Sequence, residues 1–256
     1  MNIKNFIRLF IILLPACAIA QTGNIALIEE FTETGCGACA EYDSSFQALT
    51  NANADKVAVI NYHCFYSLDT FYVYNKACDK RYGLYDLSGF PSAAANGMKP
   101  LPTSGHLSYI NQSLINKLYN TTPQFKINIS SNSANKDSTH ITKIKVTTTA
   151  LKDIPGKDLR LLIAITENNI NHEKRYHAKS VNGVNEFNHI LRSFLPDIEG
   201  SPIGDQKKGK TKTVKVTFTN DEKEMDYKEV RIVAFIQDAK THEVLGTTVT
   251  KEHPFK

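Results

Sequence analysis

Apolar positions along this chain keep two different periods, and the change falls near residue 120. Before it, short apolar runs alternate with stretches whose apolar residues recur every three or four positions. The run 24–31 is broken only by Glu29 and Glu30 and reads as a buried strand. From Cys36 onward, Cys39, Tyr42, Phe46 and Leu49 keep a helical spacing, and the turn-like residues 51–55 end that helix. Residues 57–62 read as a second buried strand. An aromatic-rich loop and a helix over 71–82 follow. Residues 91–95 and 98–101 read as a hairpin around Asn96-Gly97, a strong two-residue turn signal. A helix over 107–118, with Leu107, Ile110, Leu114 and Leu118 on one face, closes this half.

Beyond the linker at 120–123 the period falls to two. Phe125, Ile127 and Ile129 alternate with polar residues, as do Ile144, Val146, Thr148 and Ala150, and later Val214, Val216 and Phe218. Residues 159–165 and 230–236 are nearly continuous apolar strands, and a turn at 238–241 leads into a last strand over 243–250. Six or so strands with polar turns predict an all-β sandwich, immunoglobulin-like in pattern. The exception is the long segment 168–209, in which 186–195 reads as a short helix; segments of that length without strong periodicity tend to carry function.

The 256 residues suffice for two modest domains, and 41% apolar with 22% charged content is ordinary for a globular protein. The formal net charge of +4 includes Lys4 and Arg8 of the leader, which leaves nothing to suggest a nucleic-acid partner. Lys207, Lys208, Lys210 and Lys212 cluster beside Gly209 without interleaved aromatics and read as a solvated loop. Residues 1–20 have the form of a secretory signal: Lys4 and Arg8, an apolar run from Leu9 to Leu14, and Ala18-Ile19-Ala20 before the cut. The competing reading is a lipoprotein anchored through Cys17, since Leu14-Pro15-Ala16-Cys17 is similar to a lipobox. Either way the chain is expected to be exported, to the periplasm or to the outer membrane.

The candidate chemistry lies between the first strand and the first helix, in Phe31-Thr32-Glu33-Thr34-Gly35-Cys36-Gly37-Ala38-Cys39. Disulfide exchange needs a thiolate that attacks and a second thiol close enough to resolve the mixed disulfide. A helix N-terminus favours a thiolate, so Cys36 is the expected nucleophile and Cys39, one turn in, the resolving thiol. A zinc half-site is an alternative, kept open by His63-Cys64, and an inert structural disulfide is another. His172, His177 and His189 lie in the long segment with a spacing that suits solvated loops; no metal is expected there.

Strand, Phe-x-x-x-x-Cys-x-x-Cys, helix, strand, helix, then Gly89-Phe90-Pro91-Ser92 before a short strand resembles the thioredoxin fold. That resemblance implies a cis Pro91 lying against the disulfide, with Phe90 and Pro91 as the platform for a bound peptide and Gly37 and Ala38 beside it. It also implies a buried acid, here Glu30, that relays a proton to Cys39. Glu29 and Glu30 are adjacent and so point to opposite faces of their strand; the plainer reading puts both at a solvated strand end. Thioredoxins carry Trp-Cys-Gly-Pro-Cys, whereas this chain has Gly35 and Ala38 at the first and fourth of those positions and no Trp at all. The direction of the chemistry is therefore open. Five cysteines less Cys17 of the leader leave four, and in an oxidising compartment that even count favours two disulfides, Cys36–Cys39 and Cys64–Cys78. The second would close a loop of about 15 residues, worth roughly 3 kcal/mol.

With Gly-Phe-Pro-Ser, Asn-Gly and a tail ending in Val230-Arg231-Ile232-Val233-Ala234-Phe235-Ile236-Gln237-Asp238, the whole layout resembles the exported twenty-eight-kilodalton outer-membrane protein family. The expected architecture is a signal peptide at 1–20, a thioredoxin-like α/β domain over 21–120 and an immunoglobulin-like β-sandwich over 124–256. The expected activity is thiol–disulfide exchange on protein cysteines in the envelope, with Cys36, Cys39, Pro91 and Glu30 at the centre, no cofactor, and a redox partner protein. The β-rich half would bind a partner or dock the enzyme to the envelope. The competing expectation is a non-catalytic surface module that uses the thioredoxin fold as scaffold. A third is metal handling through Cys36, Cys39 and the His63-Cys64 neighbourhood.

Overall fold

Two apolar runs pair in parallel, and the rest of the fold grows outward from them. They are β1 (Ala26–Thr32) and β2 (Val57–His63), joined by the 15-residue helix α1 (Gly37–Asn51). The structure, a computed structural model, describes residues 24–74, 78–98, 105–136, 139–221 and 225–251. The expected signal sequence, with Cys17, lies outside them.

The first half continues through α2 (Thr70–Tyr74), α3 (Cys78–Leu84), β3 (Ser92–Ala95) and α4 (Gln112–Tyr119). The helix expected over 71–82 is thus described as two, with 75–77 outside the described residues. β3 runs antiparallel to β1, and Asn96 and Gly97 turn with φ of 48° and 78°. The expected partner strand at 98–101 is described only at Met98, which bridges to Ala95. The closing helix starts later than its apolar spacing suggested. Ile110 is extended, Asn111 caps α4 by accepting the Leu114 amide at 3.0 Å, and 107–109 form a separate 3-10 turn.

The second half supplies β4 (Phe125–Lys136), β5 (Thr139–Ala150), β6 (Leu159–Glu167), β7 (Ile170–Asn171), α5 (His172–Tyr176), β8 (Glu186–Phe187), β9 (Ile190–Leu195), β10 (Ser201–Pro202), β11 (Thr211–Asp221), β12 (Val230–Asp238) and β13 (Val244–Val249). β4, β5 and β11 form an antiparallel sheet in the order β11-β5-β4. The main sheet has the order β13-β12-β6-β9-β2-β1-β3, with β10 against β6. The fold is therefore mixed α/β, with one mixed sheet and smaller antiparallel sheets.

This arrangement departs from the expected separate immunoglobulin-like sandwich. The three-stranded sheet does pack face to face on a second layer: Phe125, Ile127, Ile144, Val146 and Phe218 share one core with Leu161, Ile163, Ile232 and Ile236. That second layer is not a sheet of its own, because β9 carries it across the expected linker into β2, pairing Ile190 with Asn61. β6 and β12 are covered on both faces: Leu162, Ala164, Val233 and Phe235 belong to the core built on Leu27, Phe31 and Tyr62. Burial on both sides is why these strands read as unbroken apolar runs.

The short helix expected over 186–195 is instead the strands β8 and β9. Phe187, Ile190, Leu191, Phe194 and Leu195 do keep a helical spacing, but the strand pairs on both edges and contains a register shift opposite Ile165/Thr166. The two halves also meet at the Asn96-Gly97 turn. Asn96 Oδ1 accepts the Leu27 amide at 2.7 Å, and the Asn96 carbonyl accepts the Val244 amide at 3.0 Å. A Cβ on Gly97 would lie 1.7 Å from the His242 carbonyl oxygen. Only glycine fits there.

Candidate functional site

β1 delivers the chain to a tight turn, closed by the Cys36 amide on the Glu33 carbonyl at 3.3 Å, and α1 starts at once. Cys36 is its N-cap, and its Sγ accepts the Cys39 amide at 3.0 Å. Cys36 and Cys39 are joined by a disulfide, with Cα atoms 5.2 Å apart. Cys36 is half-buried and Gly37 and Ala38 are exposed, while Cys39 is only 4% exposed. A Cβ on Gly35 would come within 2.8 Å of the Tyr66 ring. Tyr66 thus covers the turn at Gly35 and leaves no room there for a larger side chain.

Glu30 and Glu29 are both buried, so the reading of a solvated strand end does not hold. Glu30 shares its face of β1 with Ala26 and Ile28, which pack against Phe46 of α1. Its Oε2 accepts a hydrogen bond from Asn61 Nδ2 at 3.0 Å. Burial, and then the charge of Asp43, push its carboxyl well above the usual range. Glu29 faces the other way into an ion pair: its Oε1 accepts from Arg81 at 2.6 and 3.0 Å and from the Tyr62 hydroxyl at 2.8 Å, and its Oε2 accepts from the Tyr85 hydroxyl at 2.5 Å. Arg81 also donates to Gln237 of β12 at 2.8 Å, which ties the second half to this network.

Beneath Cys39 lies a narrow cleft lined by Asp43, Asn61, His63, Asn182, Val184 and Phe187. Burial pushes the Asp43 carboxyl up as well. His63 and Asp69 are buried and meet at 2.6 Å. Asn182 reaches in from the long segment: its amide donates to the Thr34 carbonyl at 2.7 Å and its Nδ2 to the Cys36 carbonyl at 3.2 Å. Its own carboxamide oxygen is held by the Val184 amide and the Ser180 hydroxyl.

The peptide bond between Phe90 and Pro91 is cis. Ser92 pairs with Phe31, which sets Pro91 at the end of β1 that leads into the cysteine loop. Phe65, Tyr82 and Phe90 form an aromatic group there, with ring centroids 5.1–6.2 Å apart, and Phe65 is 50% exposed. The expected Cys64–Cys78 disulfide is not formed: both are buried free thiols, and the Cys64 thiol donates to the Tyr62 carbonyl at 3.8 Å. They sit in the apolar core around Phe31 and Tyr62, where burial pushes the Cys64 thiol up and each packs as a small hydrophobe. Among the described residues, no group of three or more His, Cys, Asp or Glu is placed to hold a metal ion.

The model of the family described as outer membrane protein Omp28 matches residues 78–254. The chain belongs to the Omp28 family. Membership sets it among exported, outer-membrane-associated proteins. The matched span begins after the cysteine loop, so the family match rests on the second half and the residues around Pro91. HBP35 of Porphyromonas gingivalis has a similar fold, with a TM-score of 0.71 over 91% of this chain and 77% of that one at 17% identity. A structural-genomics target from Agrobacterium tumefaciens aligns with a TM-score of 0.51 over 88% of this chain and 92% of that one at 15% identity. No protein of curated function matches.

In this Omp28 chain the fold brings Cys36, Cys39, Glu30, Phe90 and Pro91 to one end of the main sheet, and leaves Cys64 and Cys78 in the core behind it. Three features of the site escaped the sequence. Asn182 is 146 residues from the carbonyl it holds. Asp69 looks like any loop aspartate, and His63 drew notice only as a neighbour of Cys64. His172, read as solvated, is buried instead, its Nδ1 meeting the Ala178 carbonyl at 2.7 Å, and His189 is half-buried, where burial lowers its imidazole to about 4.

Proposed function

We propose that this Omp28-family protein is an exported thiol–disulfide oxidoreductase acting on protein cysteines in the cell envelope. The observation that carries this reading is the unequal exposure of the disulfide: Cys36 caps the helix at the surface, and Cys39 is covered. A purely structural bond has no need of that asymmetry. In the reduced protein Cys36 attacks a substrate disulfide sulfur and releases one substrate thiol. Cys39 then attacks the Cys36 sulfur, releases the second thiol and leaves the Cys36–Cys39 bond. Lowering a thiol from a pKa of about 8.5 to near 7 takes roughly 2 kcal/mol, which a helix N-terminus supplies in a partly buried geometry.

Phe90 and Pro91, with Phe65 and Tyr82, would receive an extended apolar peptide, and exposed Gly37 and Ala38 let it approach Cys36. Glu30, its carboxyl raised by burial, is linked through Asn61 to the cleft under Cys39 and would act as a proton reserve for that cleft. A partner dithiol or disulfide protein in the envelope returns the pair to its starting state.

The test is the redox equilibrium of Cys36–Cys39 in glutathione buffers, followed by thiol mass-tagging with Cys36→Ser as control. A midpoint between roughly −270 and −120 mV, the span of dedicated exchange catalysts, is expected and gives the preferred direction. A pair that stays oxidised until the protein is denatured would sink the reading and leave a non-catalytic envelope module.

A further inference from the structure

His63 lines the cleft beneath Cys39, and its two ring nitrogens have unlike surroundings. Nδ1 meets the Asp69 carboxylate at 2.6 Å, with both side chains buried. Asp69 is itself pinned: Oδ2 accepts the Thr34 amide at 2.7 Å and Oδ1 the Phe71 amide at 2.9 Å. Burial opposes its charge, but His63 and these amides outweigh burial and hold the carboxyl below its usual range. With two backbone amides donating to it, the Asp69 carboxylate is the acceptor of this pair, so Nδ1 is the ring nitrogen that donates and Nε2 is the one left to act elsewhere. That Nε2 is buried and has no hydrogen-bond partner. A buried acceptor left unpaired calls for an explanation, and Cys39 on the same cleft offers one.

We propose that His63, oriented by Asp69, takes the proton from Cys39 as Cys39 resolves the mixed disulfide. The proposal rests on the oxidoreductase reading above. In the step, the Cys39 S–H proton passes to His63 Nε2 while the Cys39 sulfur bonds to the Cys36 sulfur. The bond from Cys36 to the substrate sulfur breaks, and the departing thiolate receives the proton back from the imidazolium. The substrate disulfide has then gained two electrons and two protons, and the Cys36/Cys39 pair has lost them. Asp69 acts as a positioning residue: it fixes the tautomer, and through the Thr34 amide it fixes the ring relative to the cysteine loop. Glu30 reaches the same cleft only through Asn61. The other titratable groups around His63 are Glu33 before α1 and Asp43 on α1, and Phe71 and Phe187 close its remaining sides.

The experiment mixes fully reduced protein with an aromatic disulfide that releases a coloured thiolate, across a pH series. A first release reports attack by Cys36 and a second reports resolution by Cys39. For the unaltered protein the second phase is expected to be fast at neutral pH and nearly flat above it. His63→Gln should slow only that phase, by about a hundredfold at neutral pH, and converge with the parent as Cys39 ionises unaided at high pH. Asp69→Asn should do the same to a smaller degree. A loss that is uniform across pH, or an unchanged profile in His63→Gln, would overturn the proposal. A parent protein with no second release would overturn the oxidoreductase reading beneath it. Should the variants fail to fold, nitrogen NMR of the unaltered protein decides. His63 must be the Nδ1–H tautomer with its Nε2 signal moving on reduction of Cys36–Cys39; an Nε2–H tautomer or an unmoved signal would count against the idea.

Discussion

The two faces of β1 carry neighbouring glutamates of opposite character. On one face Glu29 is met by Arg81, Tyr62 and Tyr85, and the network runs on to Gln237 in β12. On the other, Glu30 has one donor, from Asn61, and a carboxyl raised well above the usual range by burial. The first face is an electrostatic clamp between the two halves of the chain. The second is a sparsely hydrogen-bonded chamber under a disulfide. A strand with period two separates the two environments by a single residue, so buried carboxylates of equal sequence weight take up structural and chemical work separately.

Breaking the clamp should give the largest effect. Arg81→Ala leaves the Glu29 carboxylate buried without its cation and is expected to cost about 3–5 kcal/mol in urea unfolding. The reaction rate of the Cys36 thiol in the folded variant should stay unchanged; a parallel loss would mean that the two faces are coupled.

The second test sharpens the contrast through pH. The Glu30 carboxyl is raised on folding, so its contribution to stability is complete below the unfolded-state value of about 4.3 and is lost as pH rises toward its folded value. A single group limits this fall to about 1.4 kcal/mol per pH unit. Glu30→Gln should lack that component across the same window; identical pH–stability curves for parent and variant would show that Glu30 is not the buried proton carrier.

The smallest effect is expected from the cover of the chamber. Asn182→Ala removes the hold on the Cys36 carbonyl and should cost about 1 kcal/mol. It should also speed alkylation of Cys39 in the reduced protein, read by mass spectrometry. An unchanged alkylation rate would mean that the cover is held by Val184 and Phe187 alone.

The strand–turn–helix around Cys36 and Cys39, the Asn96-Gly97 turn and the continuous strands 159–165 and 230–236 were all legible, because each is written in local spacing. The opposite orientation of Glu29 and Glu30 followed from strand geometry; the partners of Glu29 did not, because Arg81 and Gln237 lie far along the chain. The strand β9 was read as a helix because a bulged strand buried on both edges can place Phe187, Ile190, Leu191, Phe194 and Leu195 at helical intervals. Its pairing with β2 had no local signature at all. The same holds for Asn182 and for the His63–Asp69 pair, whose meaning depends on a cleft that two distant segments build together. The Cys64–Cys78 bond was inferred from an even count, which is silent on whether two thiols share an apolar core as neighbours.

The junction of β9 with β2 also orders events in time. During export the chain emerges from its N-terminal end, and β2 presents an open edge until residues 190–195 arrive to cover it. Asn182, which closes over the cysteine turn in the folded chain, also lies well after β2 in the order of emergence. Between the appearance of β2 and that of β9, this edge is a strand edge without its partner, and exposed strand edges invite mispairing.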